Sequence, residues 1–117
     1  MTIINMDMYR TQGVTVFSGR ERGTLVRDAA RLNERDRDHY VYEIHVPEDV
    51  VCIASGFFLN MFGPSIRDLG EEHFRRKYVF TGADMSRAID KAIRVIQNAE
   101  MQRELDFAKE LFDRENK

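Results

Sequence analysis

The eight residues from His39 to Val46 constrain the fold more than any other stretch. Their side chains alternate, with Tyr40, Tyr42, Ile44 and Val46 on one side and Val41, Glu43 and His45 on the other. Tyr, Ile and Val suit a pleated, half-buried surface, so this is a strand with one apolar side. Such a side needs a second layer to cover it, and the neighbouring segments read as helices. Leu25, Ala29 and Leu32 share a face in a helix expected over about 19–34. Phe57, Phe58, Leu59, Met61 and Phe62 crowd a second helix over about 55–69, with Gly63-Pro64 expected to kink or restart it and Gly70 to end it. A third, long helix is expected over about 83–113.

Shorter strands fit between these. Ile4, Met6 and Met8 can share one face of an N-terminal strand. After a turn at Thr11-Gln12-Gly13, Val14 to Phe17 reads as a second strand that a hairpin could join to the first. Val50 to Ala54 resembles a buried strand end, and Tyr78-Val79-Phe80 a short strand. Ser18-Gly19-Arg20-Glu21 has the form of a capping box, and Thr81-Gly82-Ala83-Asp84 resembles another. The charged run Asn33 to Asp38 reads as a solvated loop, and Glu71 to Arg76 as a further helical turn. Alternation of this kind predicts an α/β fold: a small mixed β-sheet of four or five strands flanked by helices, with a long C-terminal helix. At 117 residues there is room for one domain, expected over 1–96, with 97–117 as its helical extension.

Composition narrows the partners. A net charge of −2 argues against a nucleic-acid ligand, which calls for a basic excess. Cys52 is the single cysteine, so no disulfide can form within the chain, which fits a reducing compartment. MTIINMDMYR lacks the basic-then-apolar order of a signal peptide, and no apolar run approaches the ~18 residues of a membrane span. A cytoplasmic protein without a membrane partner is expected.

Motifs for catalysis are sparse. Gly19 and Gly23 are not followed by the Gly-Lys-Ser/Thr of a phosphate loop. A hydrolase elbow would place Gly at Ile53. His39, His45 and His73 are scattered. His45 shares a strand side with Glu43, but the spacing is not that of a metal site. Cys52, between Val51 and Ile53, reads as a small buried apolar residue. Arg75-Arg76-Lys77 reads as a solvated basic turn. The expectation is a chain with no enzymatic activity, no metal and no cofactor.

Two stretches carry a family resemblance. One is Gly13-Val14-Thr15-Val16-Phe17-Ser18-Gly19-Arg20-Glu21 with Arg27 downstream. The other is Ala54-Ser55-Gly56-Phe57-Phe58-Leu59, followed by Phe62-Gly63, Leu69-Gly70 and Tyr78-Val79-Phe80. Together, over roughly residues 3–96, they resemble the bacterial STAS-like family of unknown function, related to the STAS domains of anti-sigma-factor antagonists. The resemblance implies a sheet flanked by helices and a regulatory protein–protein switch whose partner is a kinase-like ATPase or another signalling protein. In the antagonists a kinase phosphorylates a serine at a helix start, within Asp-Ser-Ser-Gly. The matching positions here are Ile53-Ala54-Ser55-Gly56, so Ser55 and Gly56 match while the Asp and the first Ser do not. Glu43 is the nearest counterpart of an acidic residue late in the family's central strand.

On its own residues, Ser55 is either an N-cap or a phosphorylation site, since phosphate is favoured among the free amides of a helix start. Ser55, Gly56 and Phe57 form the expected partner-binding surface, with Phe57 as an anchor if it lies exposed and as core if it does not. A second surface lies on the last helix. Ile89, Ala92, Ile93, Ile96 and Ala99 form one apolar stripe; Met101, Leu105, Ala108 and Phe112 form another, roughly 150° around the helix. Either the helix bends near Gln97-Asn98 and folds back, or its far half runs on and pairs with a second copy. The second outcome, a homodimer, supports the alternative reading of a self-associating structural or inhibitory protein, of phage or mobile-element type, acting through this helix.

Overall fold

A computed structural model describes residues 1–115. Strand β1 (Thr2–Asn5) leads through a 3-10 turn (Met6–Tyr9) to β2 (Val16–Phe17), helix α1 (Arg20–Ala29) and the single turn α2 (Leu32–Arg35). Then come β3 (Tyr42–Val46), β4 (Cys52–Ile53), α3 (Ser55–Leu69), α4 (Glu71–Lys77), β5 (Tyr78–Gly82) and α5 (Ser86–Glu115). The α/β class, the flanking of the sheet by helices and the long last helix are those expected. The helix expected over about 19–34 instead stops at Ala29, with Arg31 at φ 58° before α2. Leu25 and Ala29 of its expected face are exposed, while Gly23, Val26 and Arg27 are buried. Residues 116 and 117 of the expected extension lie outside the described residues.

All described strand pairings are parallel. One sheet has the order β1-β3-β5, with Ile44 paired to Ile4 on one side and to Phe80 on the other. A separate parallel pair joins β2 to β4. The expected hairpin is therefore replaced by crossovers, because parallel neighbours can be joined only by a long connection. β1 reaches β3 by way of β2, α1 and α2; β3 reaches β5 by way of β4, α3 and α4.

The alternation in β3 has the anticipated consequence. Tyr42, Ile44 and Val46 are buried, whereas Glu43 and His45 are half-buried; Tyr40 precedes the strand and is exposed. In register with Glu43 stand Ile3, 58% exposed, and Val79, 40% exposed. The helices thus cover one side of the three-stranded sheet and leave the other bare, although parallel sheets generally bury both.

The covered side holds an aromatic core. Phe62 on α3 meets the rings of Phe58, Phe74, Tyr78 and Phe80, with centroids 5.1–6.2 Å apart. Pro64 does not break α3, which is continuous from Ser55 to Leu69 and buries Gly63 and Ser65 on either side of the proline. α1 crosses α3 at Gly23, where a Cβ would lie 2.4 Å from the carbonyl oxygen of Phe57. Only glycine permits that approach. At the start of α1 the Ser18 capping box is not formed: the N-cap is Gly19, at φ 95°, without a side-chain bond. Before α5, Asp84 accepts from the backbone amide of Ser86 at 2.9 Å, while Thr81 belongs to β5.

The run Asn33 to Asp38 is not a solvated loop. It carries two carboxylates that meet buried cations. Arg27, 4% exposed, donates to Asp36 at 2.8 Å, to the Met61 carbonyl at 2.7 Å, to Ser65 Oγ at 2.8 Å and to Asn33 Oδ1 at 3.0 Å. Ser65 Oγ and the Tyr78 hydroxyl complete the Asp36 carboxylate, at 2.8 Å and 2.5 Å. Burial and this bond to Asp36 push the Tyr78 phenol well above its ordinary value. Lys77, read above as part of a solvated turn, is 3% exposed and donates to Asp38 and to the carbonyls of Asp38 and Tyr40. Tyr42 donates to the same Asp38 carboxylate. Burial would raise the Asp38 carboxyl, but the hydrogen bonds from Lys77, Tyr42 and the Tyr40 amide outweigh it and hold it below the carboxylate range. Among the described residues no buried side-chain nitrogen or oxygen lacks a hydrogen-bond partner.

Candidate functional site

The turn from β4 into α3 places Ser55. β4 is pinned to β2 by flanking backbone bonds, Val51 N–H to Thr15 at 2.9 Å and Ala54 N–H to Phe17 at 2.8 Å. Ala54 is then the extended N-cap, φ −64° and ψ 145°, and its carbonyl accepts from the Phe58 amide at 3.0 Å. Ser55 is the first helical residue, one position later than an N-cap, and its side chain does not cap the helix. It is exposed, and its hydroxyl accepts from the ammonium of Lys91 on α5 at 3.2 Å. The first-turn amides of any helix lack intrahelical acceptors and carry the positive end of its dipole.

Around this point the surface is cationic and grooved. The Arg20 side chain lies over Gly56, with its Cγ 3.0 Å from where a Cβ would stand. Beside Ser55 a groove of ≈ 340 Å³ runs between β4 and the start of α5, lined by Cys52, Leu59, Met85, Arg87 and Lys91. Cys52 is exposed, not buried as its apolar neighbours suggested, because the two-residue β4 turns it outward. Phe57 is 1% exposed and tilts against Phe17 at 5.2 Å between centroids. It is core, and the surface beside Ser55 is built from Gly56, Arg20 and Lys91 without it. Arg20, Arg87 and Lys91 were not singled out in the sequence; the chain distance between α1, α3 and α5 gives no local sign that they converge.

Glu43 and His45 do share one side of β3, and Thr81 stands between them. The Thr81 hydroxyl donates to Glu43 at 3.1 Å and lies 3.1 Å from His45 Nδ1. His39 and His73 are exposed elsewhere. Among the described residues no group of three or more His, Cys, Asp or Glu side chains is placed to hold a metal ion, and no helix is long and apolar enough to cross a membrane.

The second candidate surface is α5. Its first half docks against α3 through Ala92 and Ile93, both buried, with Ile89 and Ile96 packed beside them. The helix does not end or turn back at Gln97-Asn98. It continues to Glu115, about 28 Å beyond Ile96, and stretches the molecule to 61 × 30 × 23 Å. Met101, Leu105 and Phe112 are 61%, 58% and 65% exposed, and Ala108 is exposed with them. Phe107 and Leu111, absent from the stripe read in the sequence, are also exposed. They keep the helical phase of Ile89, Ile93 and Ile96, which was the signal available for finding them. Neither a family model, nor a curated protein, nor a solved structure matches the chain.

Proposed function

We propose that the chain is a regulatory protein–protein interaction module of STAS type, without enzymatic activity, whose docking surface is centred on Ser55. The observation that carries this reading is the position of Ser55: exposed, first in a 15-residue helix, with Lys91 at 3.2 Å. A phosphate on that hydroxyl would meet first-turn amides and two or more nearby cations, which is the arrangement that favours phosphoserine. Its charge of about −2 would also offset most of the positive charge that Arg20, Arg87 and Lys91 bring to this surface, where Asp84 is the acidic neighbour. The partner is then a kinase-like ATPase or another signalling protein whose contact surface tolerates one state of Ser55 and repels the other. The resemblance described above supports the same choice of residue.

The test has two parts. Incubation with ATP and the kinase encoded nearest to this chain, followed by mass spectrometry, is expected to place phosphate on Ser55. In pull-down against the same neighbours, Ser55→Asp should change partner affinity at least tenfold relative to Ser55→Ala. Equal binding by the two variants, or phosphate only at other positions, would overturn the reading.

A further inference from the structure

The projecting half of α5 carries a pattern narrower than an apolar face. Met101, Leu105, Ala108 and Phe112 are spaced four, three and four residues apart. That is the alternation of d and a positions in a heptad repeat, with Leu105 and Phe112 at a, Met101 and Ala108 at d. The preceding a position is Asn98, exposed like the rest. A single asparagine at a is the residue that fixes register in a parallel two-stranded coil. The flanking positions agree: Glu104 falls at g and Lys109 at the following e. In a parallel, in-register pair, Glu104 of one copy lies beside Lys109 of the other, twice by symmetry. An antiparallel pair sets g beside g and e beside e, and matches neither charge.

Two further features define where the seam stops and whether two domains fit. Lys91 and Arg94 occupy the a and d positions upstream of Asn98. Facing their own copies they repel, so the helices part at Asn98 and Lys91 stays with Ser55. The seam also lies roughly 150° around the helix from Ala92 and Ile93, the side that docks on the domain. Two domains therefore sit on the outside of the pair and do not collide.

We infer that the far half of α5 is a dimerisation arm, which pairs with the same segment of a second copy as a parallel, in-register coiled coil over residues 98–112. The seam is short, so the dimer is one that forms and separates with concentration. This inference does not rest on the role of Ser55, which is not in the seam.

Sedimentation of the full chain across a concentration series is expected to show a monomer–dimer equilibrium. Leu105→Asp, with the domain still folded by circular dichroism, should weaken it by about 100-fold or more, because two leucines leave the seam at once. Glu104→Lys should weaken it, and Glu104→Lys with Lys109→Glu should recover it. In a Cys52→Ser background, Ala108→Cys should oxidise to a covalent dimer, since d faces d only in parallel register. A wild-type chain that stays monomeric at ~1 mM (a range that still captures millimolar dissociation constants) would overturn the inference. So would a dimer indifferent to Leu105→Asp, a charge swap that recovers nothing, or a dimer in which Ala108→Cys does not cross-link.

Discussion

Replacing Arg27 by Met tests whether the buried ion pair organises the domain. Arg27 and Asp36 have side chains 5% and 8% exposed and stand 2.8 Å apart. Met fills much of the arginine volume, so the change removes charge and hydrogen bonds rather than packing. It strips a donor from Asp36, and it leaves the Met61 carbonyl and Asn33 without the bonds Arg27 now supplies. Only the hydroxyls of Ser65 and Tyr78 remain on the carboxylate. Breaking such a pair from one side costs about 3–5 kcal/mol, because a buried charge is left uncompensated. Against a total of roughly 5–15 kcal/mol for a domain, that is a large share. With a slope of about 1.5 kcal/mol per molar, the urea midpoint should fall by roughly 2–3 M. Adding Asp36→Asn keeps acceptors for Ser65 and Tyr78 while removing the stranded charge, so the double variant should regain roughly 1–2 kcal/mol. Equilibrium urea unfolding followed by circular dichroism measures both. A loss under ~1 kcal/mol for Arg27→Met, the value typical of an exposed pair, would refute the reasoning that burial makes this pair costly to break from one side.

Gly23→Ala should destabilise by ~2 kcal/mol or more in the same assay, since its Cβ must push α1 off the Phe57 carbonyl at 2.4 Å; a neutral result would mean that the two helices can part freely. Asp38, held below its ordinary pKa of 3.8, contributes stability that is fully present above that value and is lost as pH falls through the lower folded value. Unfolding midpoints of Asp38→Asn should therefore vary less with pH between neutral and strongly acid solution than those of the wild type. Ser55→Ala should shift stability by under ~0.5 kcal/mol, because the hydroxyl does not cap α3; a larger loss in thermal unfolding would assign it a structural duty.

What could be read from the residues alone follows from how local each signal is. The strand around Ile44 was legible because alternation is written into consecutive residues, and α5 because its apolar positions recur at the helical period over many turns. The direction of pairing was not, because whether β1 meets β2 or β3 depends on partners some 40 residues away, and a two-residue β2 holds no record of its neighbour. The charges of Asp36 and Asp38 looked solvated for the same reason: Ser65 and Lys77, which bury them, lie 29 and 39 residues on. Ser55 was placed correctly at an exposed helix start, yet one residue past the cap, and the cations around it come from two other helices, α1 and α5. Phe57 and Cys52 show the limit of composition, since apolar neighbours say that a core is near and not which way a side chain turns.

The parallel register has a consequence for how the chain acquires its shape during synthesis. Thr2 pairs with Tyr42, and Tyr42 with Tyr78, so neither contact of the three-stranded sheet is available to a short nascent segment. No hairpin is present among the described strands to start the process. Each pairing must close a loop of dozens of residues before it gains anything, which places such sheets among the slower-forming topologies. β1 leaves the ribosome first, and must wait unpaired until β3 has followed it out. β5 then completes the sheet just ahead of α5. The projecting arm follows in the same helix that lends Ala92 and Ile93 to the core, so closing the domain and presenting the arm are adjacent steps.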